Sequence, residues 1–224
     1  MLFYNQSLLF ARKVGAGTAL PTLVLLQHFL KHPHPLWTAI HLSLADYNQA
    51  VLETTTVPNL LLTWYVARSV PSPPQEGDLE ITEDLLYRFQ KDLSDRVIHV
   101  SGISGAWSDT FCDLLVPFDG LRSQSAVQTL FLASETIYSP SSIRSFTELL
   151  MRSLKGAENG GGRATALVAA KRVYFGVGGK VDDFFKVLSD LDGRANVAWE
   201  SKGSGVGRVI LEITTDDRMV ADSR

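Results

Sequence analysis

Gly15-Ala16-Gly17 stands where an apolar strand pattern turns into a helical one. Glycines at such a turn let the backbone approach a ligand closely, and the helix N-terminus beyond offers unpaired N–H donors. Position 20 is Leu, so the third glycine of a dinucleotide fingerprint is missing. Lys13 holds the place of the acidic residue that often precedes the first glycine in methyl-donor sites. Asp46 ends the next strand pattern. In Rossmann-like folds a carboxylate there accepts both ribose hydroxyls of a nucleoside. It also suits the N-cap of a helix starting near Tyr47 or Asn48. Ser104-Gly105-Ala106-Trp107 follows a third strand pattern, where an indole either stacks on a base or closes the core. Ala133–Tyr138 ends a fourth. Glu135 and Tyr138 would face the crevice in which open α/β sheets bind ligands, and Glu135 could hold or deprotonate a substrate nitrogen. The alternative for Glu135 is a carboxylate at a helix N-terminus.

Other chemistries lack their residues. Gly176–Lys180 is no phosphate-cradling loop, because Tyr174 takes the place of its first glycine and Val181 that of its Ser/Thr. His28, His32 and His34 cluster without a fourth ligand, and Phe29 stands where a zinc-protease helix needs Glu, so no metal is expected. There is no G-x-S-x-G elbow, and Cys112, the single cysteine, has no flanking signature. One cysteine in 224 residues gives no disulfide framework and fits a reducing compartment. The net charge is −3 with no basic block, which argues against nucleic-acid binding through phosphate neutralisation. The apolar stretch Val14–Leu30 is broken by Pro21, Gln27 and His28, so it reads as no membrane span. The start MLFYNQSLLFARK lacks a secretory pattern. A soluble intracellular protein is the expectation.

The elements that must carry these residues alternate. Strands are expected at Leu8–Val14, Thr38–Leu44, Arg96–Ser101, Val127–Ala133 and Thr165–Phe175, the fourth buried on both faces. Helices are expected at Thr18–Lys31, Gln49–Thr55, Asn59–Arg68, Thr82–Asp92, Ser141–Leu154 and Val181–Leu191. Asn196–Glu200 and Val209–Thr214 form a closing antiparallel pair. Pro71–Asp78 and Lys155–Arg163 read as surface loops within one domain spanning residues 1–224. The fold class is α/β: a mostly parallel twisted sheet, helices on both faces and a C-terminal antiparallel hairpin.

GAGTALP (Gly15–Pro21), LADYN (Leu44–Asn48), VPNLLL (Val57–Leu62), SGAW (Ser104–Trp107), LASETIY (Leu132–Tyr138) and AKRVYFGVGG (Ala170–Gly179) occur in this order. Together they resemble the protein-histidine methyltransferases of the fungal and animal type. These are seven-strand, Rossmann-like class I enzymes that use S-adenosyl-L-methionine, near the small protein-lysine methyltransferases. The ETIY and YFGVGG segments carry most of the likeness, which runs from about Val14 to Thr214. The resemblance implies that Gly15 and Gly17 pass under the methionine part of the cofactor. It implies that Asp46 takes the ribose hydroxyls, with Ala45 and Tyr47 beside the adenosine. Gly105, Ala106 and Trp107 would border the adenine, and Ser134 would touch the cofactor. Glu135 and Tyr138, in catalytic positions, would shape the acceptor pocket with Tyr174, Phe175, Gly176, Gly178 and Gly179. The implied acceptor is a histidine of a ribosomal large-subunit protein, methylated by a monomer in the cytoplasm and nucleus.

The sequence also departs from the family. Members normally carry a longer region before the glycine motif, so the resemblance implies an N-terminally truncated chain. Asn5, Gln6, Arg12 and Lys13 make the first strand a poor candidate for burial. Three alternatives stay open at this point: a lysine methyltransferase, an NAD-dependent oxidoreductase (without its third glycine or a YxxxK pair), and an inactive homologue.

Overall fold

A computed structural model describes residues 7–32, 37–68, 76–116, 126–176, 178–201 and 206–215. Strand β1 (Ser7–Val14) is an interior strand of the sheet. It pairs in parallel with β2 (Trp37–Asp46) on one side and with β4 (Ala126–Ser134) on the other. The seven-stranded order is β3-β2-β1-β4-β5-β7-β6, with β3 at Ile98–Ser104 and β5 at Arg163–Lys171. β7 (Arg208–Thr215) runs antiparallel to both β5 and β6 (Gly193–Glu200). The strand order reverses between β1 and β4, so the carboxyl ends of β1, β2 and β4 flank a topological switch point. The expected fold class holds.

Helices cover both faces. On one face α1 (Leu20–Lys31), α3 (Val57–Arg68) and α4 (Glu83–Asp95) pack Leu26, Leu60, Trp64 and Leu85 against Leu42, Leu44 and Ile98. On the other face lie α5 (Asp109–Leu115), α6 (Pro140–Asn159) and α7 (Val181–Asp190). They bury Phe111, Phe146, Leu150 and Phe184 against Phe131, Ala166, Val168 and Leu211. Local chemistry fixes the ends. Thr82 and Ser108 cap α4 and α5 by accepting from the backbone N–H of Leu85 and Phe111.

Several elements differ from expectation. Arg12 and Lys13 do not spoil β1, although both are buried. The Arg12 guanidinium donates to Ser43 Oγ and lies over the Phe10 ring. Lys13 bends to the strand end and finds carbonyl oxygens there. The two helices expected around Val57 are one run: α2 (Gln49–Val51) continues through a π turn (Leu52–Thr56) into α3. Pro58 would clash with the carbonyl four residues back, and the wider turn relieves this while the helix continues. β5 ends at Lys171, short of Phe175. Residues 155–159 of the expected loop extend α6, because Ala157 and Leu154 lie one turn apart on its buried side. Only Gly160–Gly162 make the turn into β5. Gln128 is exposed, so β4 is covered on both faces only toward its carboxyl end. The other expected loop, Pro71–Asp78, falls mostly outside the described residues, as does His34.

Phe10, His41 and His99 stack across β1, β2 and β3, with ring centroids 4.5 and 4.6 Å apart. Burial first, then His99 and Arg12, push the His41 imidazole down to about 4. An unfolded histidine titrates near 6.5, so the unfolded chain takes up this proton first. His41 therefore withdraws stability as pH falls from about 6.5 toward 4. Between pH 7.5 and 5 the thermal midpoint of His41→Phe should fall less than that of the unsubstituted protein; equal falls would show that His41 does not titrate as described.

Candidate functional site

The glycine turn and the tip of β2 are joined by hydrogen bonds. Gly15 and Gly17 take φ of 63° and 51°, in the left-handed region that glycine enters at little cost. The Ala16 N–H donates to Ala45 O at 2.9 Å, and the Gly17 N–H to Asp46 Oδ2 at 3.0 Å. The other Asp46 oxygen accepts from Asn48 N–H at 3.1 Å. Asp46 is not the helix cap: Asn48 caps α2, its side chain accepting from Ala50 N–H. The Gly105 N–H donates to Asp46 O at 3.1 Å, which brings the end of β3 to the same place. These bonds bring the glycine turn, Ala45, Asp46 and Gly105 together at the ends of β1, β2 and β3, with the Gly17 and Asn48 N–H groups on the carboxylate itself. A carboxylate has about four acceptor sites and two are used, so lone pairs remain for hydroxyl donors.

Three residues that sequence reasoning missed brace this turn. Thr56 Oγ1 donates to Gly17 O at 2.6 Å, and Asn59 Nδ2 to Thr18 O at 3.1 Å. Both come from the π turn and α3, so the Pro58 irregularity has a positional consequence. Thr136 Cγ2 lies 3.2 Å from where a Gly15 Cβ would stand, so the loop after β4 closes on the turn from the other side. Only the Val-Pro dipeptide in Val57–Leu62 hinted at the first two; nothing local marked Thr136.

The remaining expected residues are spread around this mouth. Ser134 ends β4 half-buried, Ala106 is exposed and the Tyr47 ring lies on the surface. Trp107 packs on the core against Phe146, with ring centroids 5.7 Å apart, so its core role is real. Its Nε1–H is buried and has no partner among the described residues. Glu135 takes φ 58° at the end of β4 and lies 3.7 Å from Lys171 Nζ. It is not a helix-end carboxylate, since α6 starts at Pro140. Tyr174 is buried; its hydroxyl accepts from Lys171 N–H at 3.1 Å. Burial, and secondarily Glu135, push this phenol up to about 12, so it stays protonated across the physiological range.

Gly179 ties the two acceptor segments together. Its N–H donates to Tyr138 O at 3.1 Å, and its carbonyl accepts from Tyr174 N–H at 3.0 Å. Gly178 N–H closes back on Tyr174 O, with Gly176 and Gly178 both at φ 85°. Residue 177 lies outside the described residues. Phe175 is 81% exposed and Tyr138 48% exposed, a pair of aromatic side chains turned to solvent beside the mouth. A cleft between α5 and α6 (Asp109, Arg152, Lys155) and another at the amino ends of β1, β4 and β5 lie away from these residues.

The chain is 35% identical over 202 residues to histidine protein methyltransferase 1 of Schizosaccharomyces pombe, covering 89% of this chain and 55% of that protein. It is 31% identical over 225 residues to the protein of the same name in Saccharomyces cerevisiae, covering 91% of this chain and 56% of that one. The chain is a sequence relative of the histidine protein methyltransferases. A homologue from Rattus norvegicus matches at 30% identity over 171 residues, 75% of this chain and 42% of its own length. The chain spans about half the length of the curated relatives it matches. No family model matches it. Among solved structures, magnesium protoporphyrin IX methyltransferase from Synechocystis PCC 6803, with bound SAH, covers 94% of this chain and 74% of its own at 10% identity and a TM-score of 0.47. An rRNA methylase from Streptococcus thermophilus covers 94% of this chain and 88% of its own at 12% identity and a TM-score of 0.42. The observed sheet order, not these distant likenesses, carries the fold assignment. Among the described residues no group of His, Cys, Asp and Glu could hold a metal ion, and no helix is long and apolar enough to cross a membrane.

Proposed function

We propose that this chain is the S-adenosyl-L-methionine-binding domain of a protein-histidine N-methyltransferase. The observation that carries the reading is the Gly17 N–H···Asp46 hydrogen bond, which draws the glycine turn and the β2 carboxylate into one mouth at the switch point. The donor set fits an adenosyl group: a carboxylate with free lone pairs, bare backbone at Gly15, Gly17 and Gly105, and a half-buried indole at Trp107 with an unmet N–H. The names of the curated relatives support histidine as the acceptor.

In this reading Asp46 holds the ribose, Ala45 and Tyr47 flank the adenosine, Ala106 and Trp107 border the adenine, and Ser134 lies beside the methionine part. When bound, the sulfonium supplies an activated methyl group with a neutral thioether as leaving group. The protein need not make a strong nucleophile, because neutral imidazole has a lone pair at physiological pH. Its work is alignment, holding the ring nitrogen about 3–3.5 Å from the methyl carbon and in line with the sulfur. Glu135 fixes the ring tautomer and offsets the imidazolium charge that develops. Lys171, 3.7 Å away, orients Glu135. Tyr138 and the Tyr174–Gly179 loop form the acceptor side, and the substrate is a histidine in a ribosomal large-subunit protein, met by a monomer in cytoplasm and nucleus.

The test is incubation of the protein with S-adenosyl-L-methionine and matched peptides carrying a single histidine or a single lysine, read by mass spectrometry. Methylation of the histidine peptide alone is expected; methylation of lysine alone transfers the protein to the neighbouring group. Phe175→Ala should lower kcat/KM for a protein acceptor by about tenfold, the scale of an exposed aromatic anchor. The thermal midpoint and cofactor affinity should not move, since the ring contacts solvent. An unchanged kcat/KM removes Phe175 from the acceptor surface.

A further inference from the structure

Lys13 is 1% exposed, yet it sits on β1 one residue before the strand's last. Its register partners Leu44 on β2 and Leu132 on β4 are apolar. Its Nζ donates to Val14 O at 2.9 Å and to Gly15 O at 2.5 Å. A buried ammonium is thus pinned against the underside of the glycine turn. Asp46, on the tip of β2, is the charged group that acts on it most strongly. Neighbouring Arg12 points to the opposite face, toward Ser43. On β4 the register partners of Lys13 and Val14 are Leu132 and Ala133, both apolar, and Glu135 beyond them is paired with Lys171. Lys13 Nζ is held by the two carbonyl oxygens, and Asp46 acts on it through its field without an ion pair at contact distance.

We propose that Lys13 sets the preference of this site between methyl donor and demethylated product, disfavouring the cationic sulfonium relative to the neutral thioether. The proposal rests on the adenosyl-binding reading above. The two ligands share adenosine, amino group and carboxylate, and differ by one methyl and one positive charge at sulfur. A buried charge beneath the turn is poorly screened, so it acts on that difference with more force than a surface lysine would. An acidic residue in the same place would act with the opposite sign. Burial already pushes the Lys13 ammonium down to about 8, so the preference weakens as the solution turns alkaline.

The experiment is calorimetric titration of S-adenosylmethionine and S-adenosylhomocysteine into the full chain and into Lys13→Met, from pH 7 to 9.5. The sulfonium makes the donor's amino group more acidic than the product's, so part of any drift in the ratio of the two dissociation constants belongs to the ligands and is common to both proteins. The Lys13 contribution is the difference between the proteins: the ratio of donor to product dissociation constant should be about tenfold lower in Lys13→Met at pH 7, and the two proteins should converge by pH 9.5. Ratios that overlap in the two proteins across the whole range overturn the proposal. Should Lys13→Met fail to fold, Lys13→Gln takes its place in the same comparison. Binding of neither ligand at any pH instead overturns the adenosyl site itself, and this proposal with it.

Discussion

Asp46→Ala should lower the affinity for S-adenosylhomocysteine by at least about a hundredfold. Hydrogen bonds to an ionised group each contribute about 1.5–3 kcal/mol, and two ribose hydroxyls would lose theirs together. The substitution also releases the Gly17 and Asn48 N–H groups, which loosens the turn itself. Asp46→Asn separates the two effects. It keeps an acceptor oxygen for one of those N–H groups but removes the charge, so it should lose about tenfold while melting near the unsubstituted protein. Tyr87→Ala, on α4, is the remote control: the ring is on the surface, and affinity should change by less than about threefold. Calorimetry with the three variants decides the matter. Unchanged affinity in Asp46→Ala would remove the ribose role and leave Asp46 as a bracket for the turn.

The turn and its carboxylate were legible in the sequence because each requirement is local. Gly15 and Gly17 are demanded by left-handed backbone, and Asp46 by the end of a strand whose apolar alternation is plain. What supports them was not legible. Thr56 reaches Gly17 O across 39 residues of chain, and Asn59 reaches Thr18 O across 41. No periodicity reports a contact of that separation. The Val57-Pro58 pair reads locally as a break between helices, whereas the chain resolves the proline with a π turn. Lys13 shows the limit from the other side. A charge in an apolar strand argues against burial only while no acceptors are in view, and the carbonyls at the strand's end belong to the fold. The Gly-rich turn after α6 misled in the same manner. Composition marked the whole of 155–163, yet Ala157 and its neighbours pack on the core and only the glycines leave the helix.

Gly179→Ala should be the most damaging single methyl in the molecule's upper rim. An added Cβ would stand 2.4 Å from both Ile137 O and Tyr138 O, a distance that no side-chain rotation relieves because both partners are backbone. Either the Tyr138–Ser139 segment or the loop after β5 must move, and both are anchored. Ile137 is fully buried, and Tyr174 is held by its own hydrogen bonds to Gly178 and Gly179. A clash of this kind costs about 3 kcal/mol or more, and in a chain of this size that lowers the thermal midpoint by about 6–12 °C. Gly161→Ala is the matched control. It has positive φ but open space where the Cβ would go, so it pays only for left-handed backbone, about 1–2 kcal/mol. The expected order of melting is therefore unsubstituted, Gly161→Ala, Gly179→Ala. The same clasp joins the ETIY and YFGVGG segments, so a partly folded Gly179→Ala protein should keep affinity for S-adenosylhomocysteine yet lose turnover on a protein acceptor. A Gly179→Ala protein that melts with Gly161→Ala would mean that the two segments are not clasped. The acceptor side of the mouth would then lose its physical basis, while the adenosyl side, built on Asp46, would stand.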